Sequence, residues 1–126
     1  MSLSTYILLH IFGVVCAMMG FGILIAYFAL GTNKAPLLRT LGFFTHGLGL
    51  AMILVSGFGL LARLGILRDF PYWVYIKLAI WIFFGAIVAL VRRRPQVGPY
   101  IVPLLLALAI LAAYLGLSFA PHAGLP

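Results

Sequence analysis

The stretch from Tyr6 to Phe28, YILLHIFGVVCAMMGFGILIAYF, decides the fold class of this chain. It contains no Asp, Glu, Lys or Arg, and His10 is its one histidine. About 20 consecutive apolar residues are enough for a helix to span the hydrocarbon core of a bilayer. The stretch therefore predicts a membrane-spanning helix, and it raises the question of what a histidine does inside such a segment.

The composition of the whole chain agrees with this interpretation. Of the 126 residues, 66% are hydrophobic and 7% are charged, and the mean hydropathy is +1.27. A soluble domain carries about 25% charged residues because its surface must be hydrated. The chain is also too short for a second domain. We therefore expect one integral membrane domain over residues 1–126.

Three further apolar stretches follow the first, and the connections between them contain glycine and proline, which punctuate helices. In lipid every backbone polar group must be paired within the chain, so such stretches form helices. Short connections make neighbouring helices antiparallel, which predicts an all-α, up-down bundle of four transmembrane helices. The predicted helices cover about residues Thr5–Leu30, Leu38–Leu61, Tyr72–Val91 and Tyr100–Phe119.

The basic residues predict the orientation of the bundle, because Lys and Arg in short loops favour the cytoplasmic side. The second loop has Arg63 and Arg68, partly offset by Asp69, whereas the first and third loops have five basic residues: Lys34, Arg39, Arg92, Arg93 and Arg94. We expect loops one and three in the cytoplasm and both termini outside. The opening MSLSTY has no basic residue, so we expect the first span to be retained and not cleaved as a signal peptide.

The net charge of +7 is thus interpreted as a topology signal, and no nucleic-acid partner is expected, because a basic face on a soluble surface is not predicted. The run Arg92–Arg94 is interpreted first as the stop signal of helix three. Contact with anionic lipid headgroups is the alternative.

The chemistry-bearing residues are few. Cys16 is the one cysteine, lies mid-span and is expected to be a small packing residue. No C-x-x-C, H-x-x-x-H or Gly-rich phosphate loop is present in the sequence. We therefore predict no metal site and do not expect an enzyme.

Small residues mark the faces on which the first two helices are expected to meet, because they allow close approach in lipid. Both mid-span histidines share these inward faces, as expected for ionisable groups in a membrane. His10 lies with Gly13, Cys16, Ala17 and Gly20, and His46 lies with Gly42, Gly49 and Ser56.

The predicted hairpin also sets the depth of each histidine. With its turn centred near residues 33–34, the two differ in depth by roughly 18 Å, so they are not expected to hold one haem between them. We expect His46 opposite Gly20 and Gly22. We expect His10 opposite Gly57 and Gly59.

Each histidine has one structural and two functional interpretations. In the structural interpretation, the histidine forms a hydrogen bond to a backbone carbonyl or a Ser/Thr hydroxyl across the bundle. In the first functional interpretation, it is a ligand of a cofactor, for which haem b and quinone are the candidates. In the second, it is part of a proton relay. The candidate cofactor-binding residues are His10, His46 and Lys77. His122 follows the last span and is interpreted as a solvated tail residue.

Lys77 lies about one and a half turns into the third helix, in PYWVYIKLAIW. A long side chain this close to a helix end can extend its ammonium group to the membrane surface. The alternative is a polar site in the outer leaflet, since His10 is predicted at a similar depth. The neighbouring Tyr72, Trp73 and Tyr75 form an interfacial aromatic belt, which also suits the edge of a quinone or lipid pocket.

The order of these features resembles the SirB-type family of small four-helix bacterial inner-membrane proteins over nearly the whole chain. The resemblance rests on LLH at the start of helix one, Arg39 before helix two, the mid-helix His46, LVSGFGL, WVYIK, FGAIVAL and a short basic loop. The relatives carry polar residues after the helix-two histidine, where this chain has Gly47, Leu48 and Gly49. The family label concerns up-regulation of invasion genes, and the resemblance implies His10, His46 and Lys77 as positions of interest without assigned roles.

The sequence supports two main hypotheses of function. The first is a small, non-catalytic accessory or interaction subunit of a larger respiratory or photosynthetic membrane complex, with glycine-rich faces suited to helix docking. The second is a haem- or quinone-binding protein of electron transport that uses His10 or His46. A transporter or channel ranks third, because Lys77 is the one intramembrane charge.

Overall fold

The computed structural model describes residues 1–31 and 35–119; the predictions made for Lys34, for the turn centre at residues 33–34 and for His122 lie outside this part of the chain. Within it the elements are α1 (Leu3–Leu30), α2 (Pro36–Arg63), α3 (Tyr72–Arg93), a short 3-10 helix (Pro95–Val97) and α4 (Gly98–Phe119). All four α-helices are long and apolar enough to cross a membrane. The prediction of an all-α, four-helix, multi-pass membrane protein is confirmed.

The helices begin up to two residues earlier than predicted, for local reasons. The side-chain oxygen of Ser2 accepts a hydrogen bond from the backbone N–H of Thr5 at 3.1 Å, which caps α1 before Leu3. The second helix starts at Pro36, because the missing N–H and fixed φ of proline suit the first helical position.

The end of α2 is set by a glycine. Gly65 has a φ of 73°, a left-handed conformation that costs glycine little because it has no Cβ. Its N–H bonds to the carbonyl of Ala62, and the N–H of Ile66 bonds to the carbonyl of Leu61. This pair of bonds is the usual termination of a helix by glycine, and it carries α2 to Arg63, two residues beyond the predicted end.

The contact between α1 and α2 is backbone against backbone. A Cβ added to Gly20 would lie 2.7 Å from the Cα of His46, and one added to Gly49 would lie 2.8 Å from the Cα of Ala17. Real Cβ atoms do not approach this closely, so only glycine fits these two positions. The predicted small-residue interface between the first two helices is therefore present.

Apart from Leu61, the buried large apolar side chains of the core come from the other helices. Among the described residues, the buried positions of α2 are occupied by Gly42, His46, Gly49, Ser56 and Leu61. The second helix thus packs through its backbone and two polar side chains, while α1, α3 and α4 supply the main apolar cluster. That cluster consists of Phe21, Leu24, Tyr27, Phe28, Ile80, Phe84, Ile87, Val88, Val91, Ile101 and Leu105.

The two ends of the bundle differ in charge. At the end of the bundle where α3 ends and α4 begins, four arginines are exposed: Arg39, Arg92, Arg93 and Arg94. We call this end the basic end. A smaller apolar cluster of Leu61, Trp73, Val74 and Leu115 closes the bundle near the other end. We call this other end the aromatic end.

Candidate functional site

His46 joins three helices. It is 4% exposed, and its Nδ1 lies 2.8 Å from the carbonyl oxygen of Ala17 on α1. Its Nε2 lies 3.2 Å from the carbonyl oxygen of Phe84 on α3. A neutral imidazole has one N–H, so it donates to one of these carbonyls at a time. Both ring nitrogens face backbone oxygens, and this geometry gives His46 a structural role.

A second polar contact between α2 and α3 lies close by in sequence. The indole Nε1–H of Trp81 donates to the carbonyl oxygen of Leu50 at 2.9 Å. The sequence interpretation missed this residue. The signal that identifies it is general, because a half-buried tryptophan in an apolar helix needs an acceptor for its N–H.

His10 is paired with a serine on α2. Its Nδ1 lies 3.0 Å from the Oγ of Ser56, and the Ser56 hydroxyl also contacts the carbonyl oxygens of Met52 and Ile53. Since a carbonyl takes the hydroxyl hydrogen, we assign Nδ1–H of His10 as the donor to the serine oxygen. In this tautomer Nε2 of His10 carries no proton and can accept a hydrogen bond.

Of the four glycines predicted to lie opposite the two histidines, two are found there. Gly20 packs against His46 and Gly57 against His10, where an added Cβ would lie 3.5 Å from Cε1 of the ring. The prediction was wrong for Gly22, which faces open space, because two residues turn a helix by about 200° and place Gly22 on the opposite side from Gly20. It was also wrong for Gly59, over which the ring of Tyr6 lies.

The structure separates the two histidines along the axis of α1. His46 is level with Gly20, which lies ten residues after His10 on α1. At 1.5 Å per residue the separation is about 15 Å. One iron cannot be held by both imidazoles across that distance.

Lys77 lies beside His10. The ammonium is close enough for the two side chains to interact electrostatically, and it lies 5.9 Å from the ring centroid of Trp73. A Cβ added to Gly116 of α4 would be 3.1 Å from Nζ, so the absence of a side chain there makes room for the ammonium. Gly116 is three residues from the end of α4, so the ammonium lies near the last turn of that helix.

These residues form one site, to which all four helices contribute. We call His10, Ser56, Trp73, Lys77 and Gly116 the polar site. No described residue forms a hydrogen bond or ion pair with Nζ of Lys77. The one acidic residue of the chain, Asp69, is exposed in the connection between α2 and α3.

An open, mainly apolar groove borders the polar site at Ser56. It has a volume of about 330 Å³, at the lower end of the range of small-molecule sites. It is lined by Met1, Tyr6, Leu9, Ala51, Met52, Val55 and Ser56. The His10–Ser56 pair therefore has apolar surface next to it on the side of α1 and α2.

No protein-family model, curated protein or solved structure matches the chain. The resemblance to the SirB-type family stays a prediction. Of the three residues it singles out, the structure brings His10 and Lys77 together and places His46 in a separate contact nearer the middle of the bundle.

Proposed function

We propose that the protein is a non-catalytic membrane component that binds the polar head of a lipid-soluble quinone in the polar site. One observation carries this proposal: Lys77 belongs to a membrane-spanning helix, and its ammonium lies over the ring of Trp73 without an acceptor among the described residues. An intramembrane charge is costly, and its presence is a default indication of function.

The donors and acceptors of the site match the chemistry of a quinone. The three N–H groups of Lys77 can donate to a quinone carbonyl. The unprotonated Nε2 that we assign to His10 can accept from the hydroxyl of the reduced quinol. Lys77 lies five residues into α3, about 8 Å from the helix end.

The same geometry favours quinone over haem b. Both ring nitrogens of His46 face carbonyl oxygens, so iron would have to displace an existing contact. His10 has a nitrogen available, but no second histidine lies at its depth among residues 1–31 and 35–119. An absorption spectrum before and after reduction with dithionite tests haem directly, and we expect no Soret band.

Trp73 provides an optical test of quinone binding. A quinone bound at Lys77 would lie near this indole and quench its fluorescence. We expect saturable quenching by a short-chain ubiquinone analogue. Lys77→Met should weaken the affinity about tenfold or more, because hydrogen bonds to charged groups contribute about 1.5–3 kcal/mol. Arg68→Gln removes an exposed positive charge at the same end and is the matched control.

The second tryptophan makes the test specific. Trp73→Phe should reduce the quenching more than Trp81→Phe does, because Nζ of Lys77 lies over the Trp73 ring whereas Trp81 is one helical turn beyond Lys77 and bonds to Leu50. Equal affinities of the wild type and Lys77→Met, or quenching that rises linearly without saturation, would contradict quinone binding in the polar site.

An accessory role in a respiratory or photosynthetic complex remains a second proposal, and exposed glycines favour it. Gly22 on α1 and Gly47 on α2 are exposed and have nothing within 4 Å of an added Cβ. Exposed glycine in a transmembrane helix suits close docking of a further helix. If a partner complex binds there, Gly22→Leu or Gly47→Leu should abolish co-migration with it on native gels. Ala29→Leu, also at an exposed position of α1, is the control.

We also propose the orientation that the basic residues predict, in a bacterial inner membrane. The basic end would face the cytoplasm, and both termini and the aromatic end would face outward. The proposed quinone site would then lie in the outer leaflet.

A further inference from the structure

A second groove lies at the basic end, between α2 and α3. The two helices meet where His46 faces the carbonyl of Phe84 and where Trp81 bonds to Leu50. Towards the basic end an open groove of about 610 Å³ separates them. It is lined by Phe43, Gly85, Val88, Ala89, Arg92 and Arg93.

The lining residues of α3 form a continuous strip. Gly85, Ala89 and Arg92 are spaced at helical intervals and therefore share one face of α3. A Cβ added to Gly85 would contact only the end of the Leu50 side chain, at 3.7 Å, so the groove has room for another group at this position. From Gly85 to Arg92 the strip runs about 10 Å along the helix and changes from apolar to charged.

No acidic side chain lies near this groove in the part of the chain that the structure describes. The exposed arginines of the basic end are Arg39, Arg92, Arg93 and Arg94, and the one acid of the chain, Asp69, precedes α3, at the other end of that helix. Basic pockets between transmembrane helices attract anionic lipid headgroups.

We propose that this groove binds an anionic phospholipid, with its phosphate at Arg92 and Arg93 and an acyl chain along Val88, Ala89 and Gly85 against Phe43. The paired arginines match a phosphate, for which guanidinium groups provide fixed sets of donors. The apolar strip leads away from them towards the centre of the membrane, which is the direction an acyl chain takes. This site is independent of the quinone site, which lies near the aromatic end.

Arginines at the C-terminus of α3 also stabilise the helix through its dipole. This effect and lipid binding differ in what they depend on. Helix-end stabilisation does not require lipid and does not involve Gly85, whereas lipid binding requires both the charges and the open floor of the groove.

The test uses the full-length protein in neutral detergent micelles, where phosphatidylglycerol or phosphatidylcholine is added and bound lipid is counted by native mass spectrometry. We expect saturable binding of phosphatidylglycerol in preference to phosphatidylcholine. Arg92→Gln/Arg93→Gln should weaken phosphatidylglycerol binding about 30-fold. Arg63→Gln/Arg68→Gln removes the same number of charges near the aromatic end and should leave binding unchanged.

A charge-neutral variant tests the groove itself. Gly85→Leu places a side chain in the groove next to Leu50 and should also weaken phosphatidylglycerol binding, whereas Gly22→Leu, at an exposed glycine of α1, should not. Equal losses in the two arginine double variants would overturn the proposal, because binding would then follow net charge alone. Undiminished binding by Gly85→Leu would overturn it as well.

Discussion

The Nδ1 atom of His46 lies 2.8 Å from the carbonyl oxygen of Ala17, across the contact between α2 and α1. The same ring reaches the carbonyl of Phe84 on α3. Because α2 buries few large apolar side chains, this imidazole is one of the few groups that can fix how α2 is rotated against its neighbours. A polar group in lipid keeps such partners because no water is available to replace them.

Replacing His46 by leucine should lower the free energy of unfolding by about 1–2 kcal/mol, because an interhelical hydrogen bond is lost at nearly constant side-chain volume. His46→Gln keeps an N–H donor and should lose less. Unfolding by steric trapping in bicelles measures both. Thr40→Val, which removes an exposed hydroxyl bonded within its own helix, is the control. A leucine variant as stable as the wild type would refute the structural role of His46.

Substitution of the glycines of α1 and α2 by alanine should affect stability in two different ways, depending on whether the glycine is buried or exposed. Gly20→Ala and Gly49→Ala introduce methyl groups into the backbone of the facing helix and should each destabilise by about 1–3 kcal/mol. Gly22→Ala and Gly47→Ala point into open space and should be neutral or stabilise by about 0.5–1 kcal/mol through helix propensity.

The same unfolding assay compares the four alanine variants. Similar effects of all four would contradict the close α1–α2 contact, because helix propensity alone does not distinguish buried from exposed glycines.

The hydrogen bond between His10 and Ser56 should appear as coupling in a double-mutant cycle. His10→Phe, Ser56→Ala and the double variant should give a coupling energy of about 0.5–3 kcal/mol, the range for contacting residues. His46 and Ser56 lie ten residues apart on α2, about 15 Å along the helix, so the cycle between them should be additive. Coupling of equal size in both cycles would indicate a general loss of packing instead of this bond.

The orientation of the protein in the membrane can be determined by labelling single cysteines introduced at either end of the bundle. Cys16 is the one native cysteine and is buried, so Cys16→Ala provides a background without reactive thiols. Gln96→Cys at the basic end should react with a membrane-impermeant maleimide only after the cells are opened, whereas Ser2→Cys should react in intact cells whose outer membrane has been made permeable. The reverse pattern would place the basic end outside and would contradict the predicted orientation.

The residues that face each other show how far sequence reasoning extends. Spacing identified the inward faces of α1 and α2 and the pairings of Gly20 with His46 and of Gly57 with His10, because these follow from helical periodicity and one short turn. It failed for Gly59, whose neighbour is Tyr6, because the choice between adjacent residues depends on the rotation of one helix against the other. Trp81 was missed because its acceptor, Leu50, lies 31 residues away in sequence.

The sequence by itself determined that this chain has four membrane-spanning helices and where they begin and end to within two residues. Hydropathy, glycine and proline act locally, so no tertiary information is needed to place them. The tertiary structure alone decided that His46 contacts two other helices, that His10 pairs with Ser56 beside Lys77, and that Gly22 and Gly47 stay exposed. Each of these depends on the rotation and separation of helices in lipid, which are set by packing between residues far apart in the sequence.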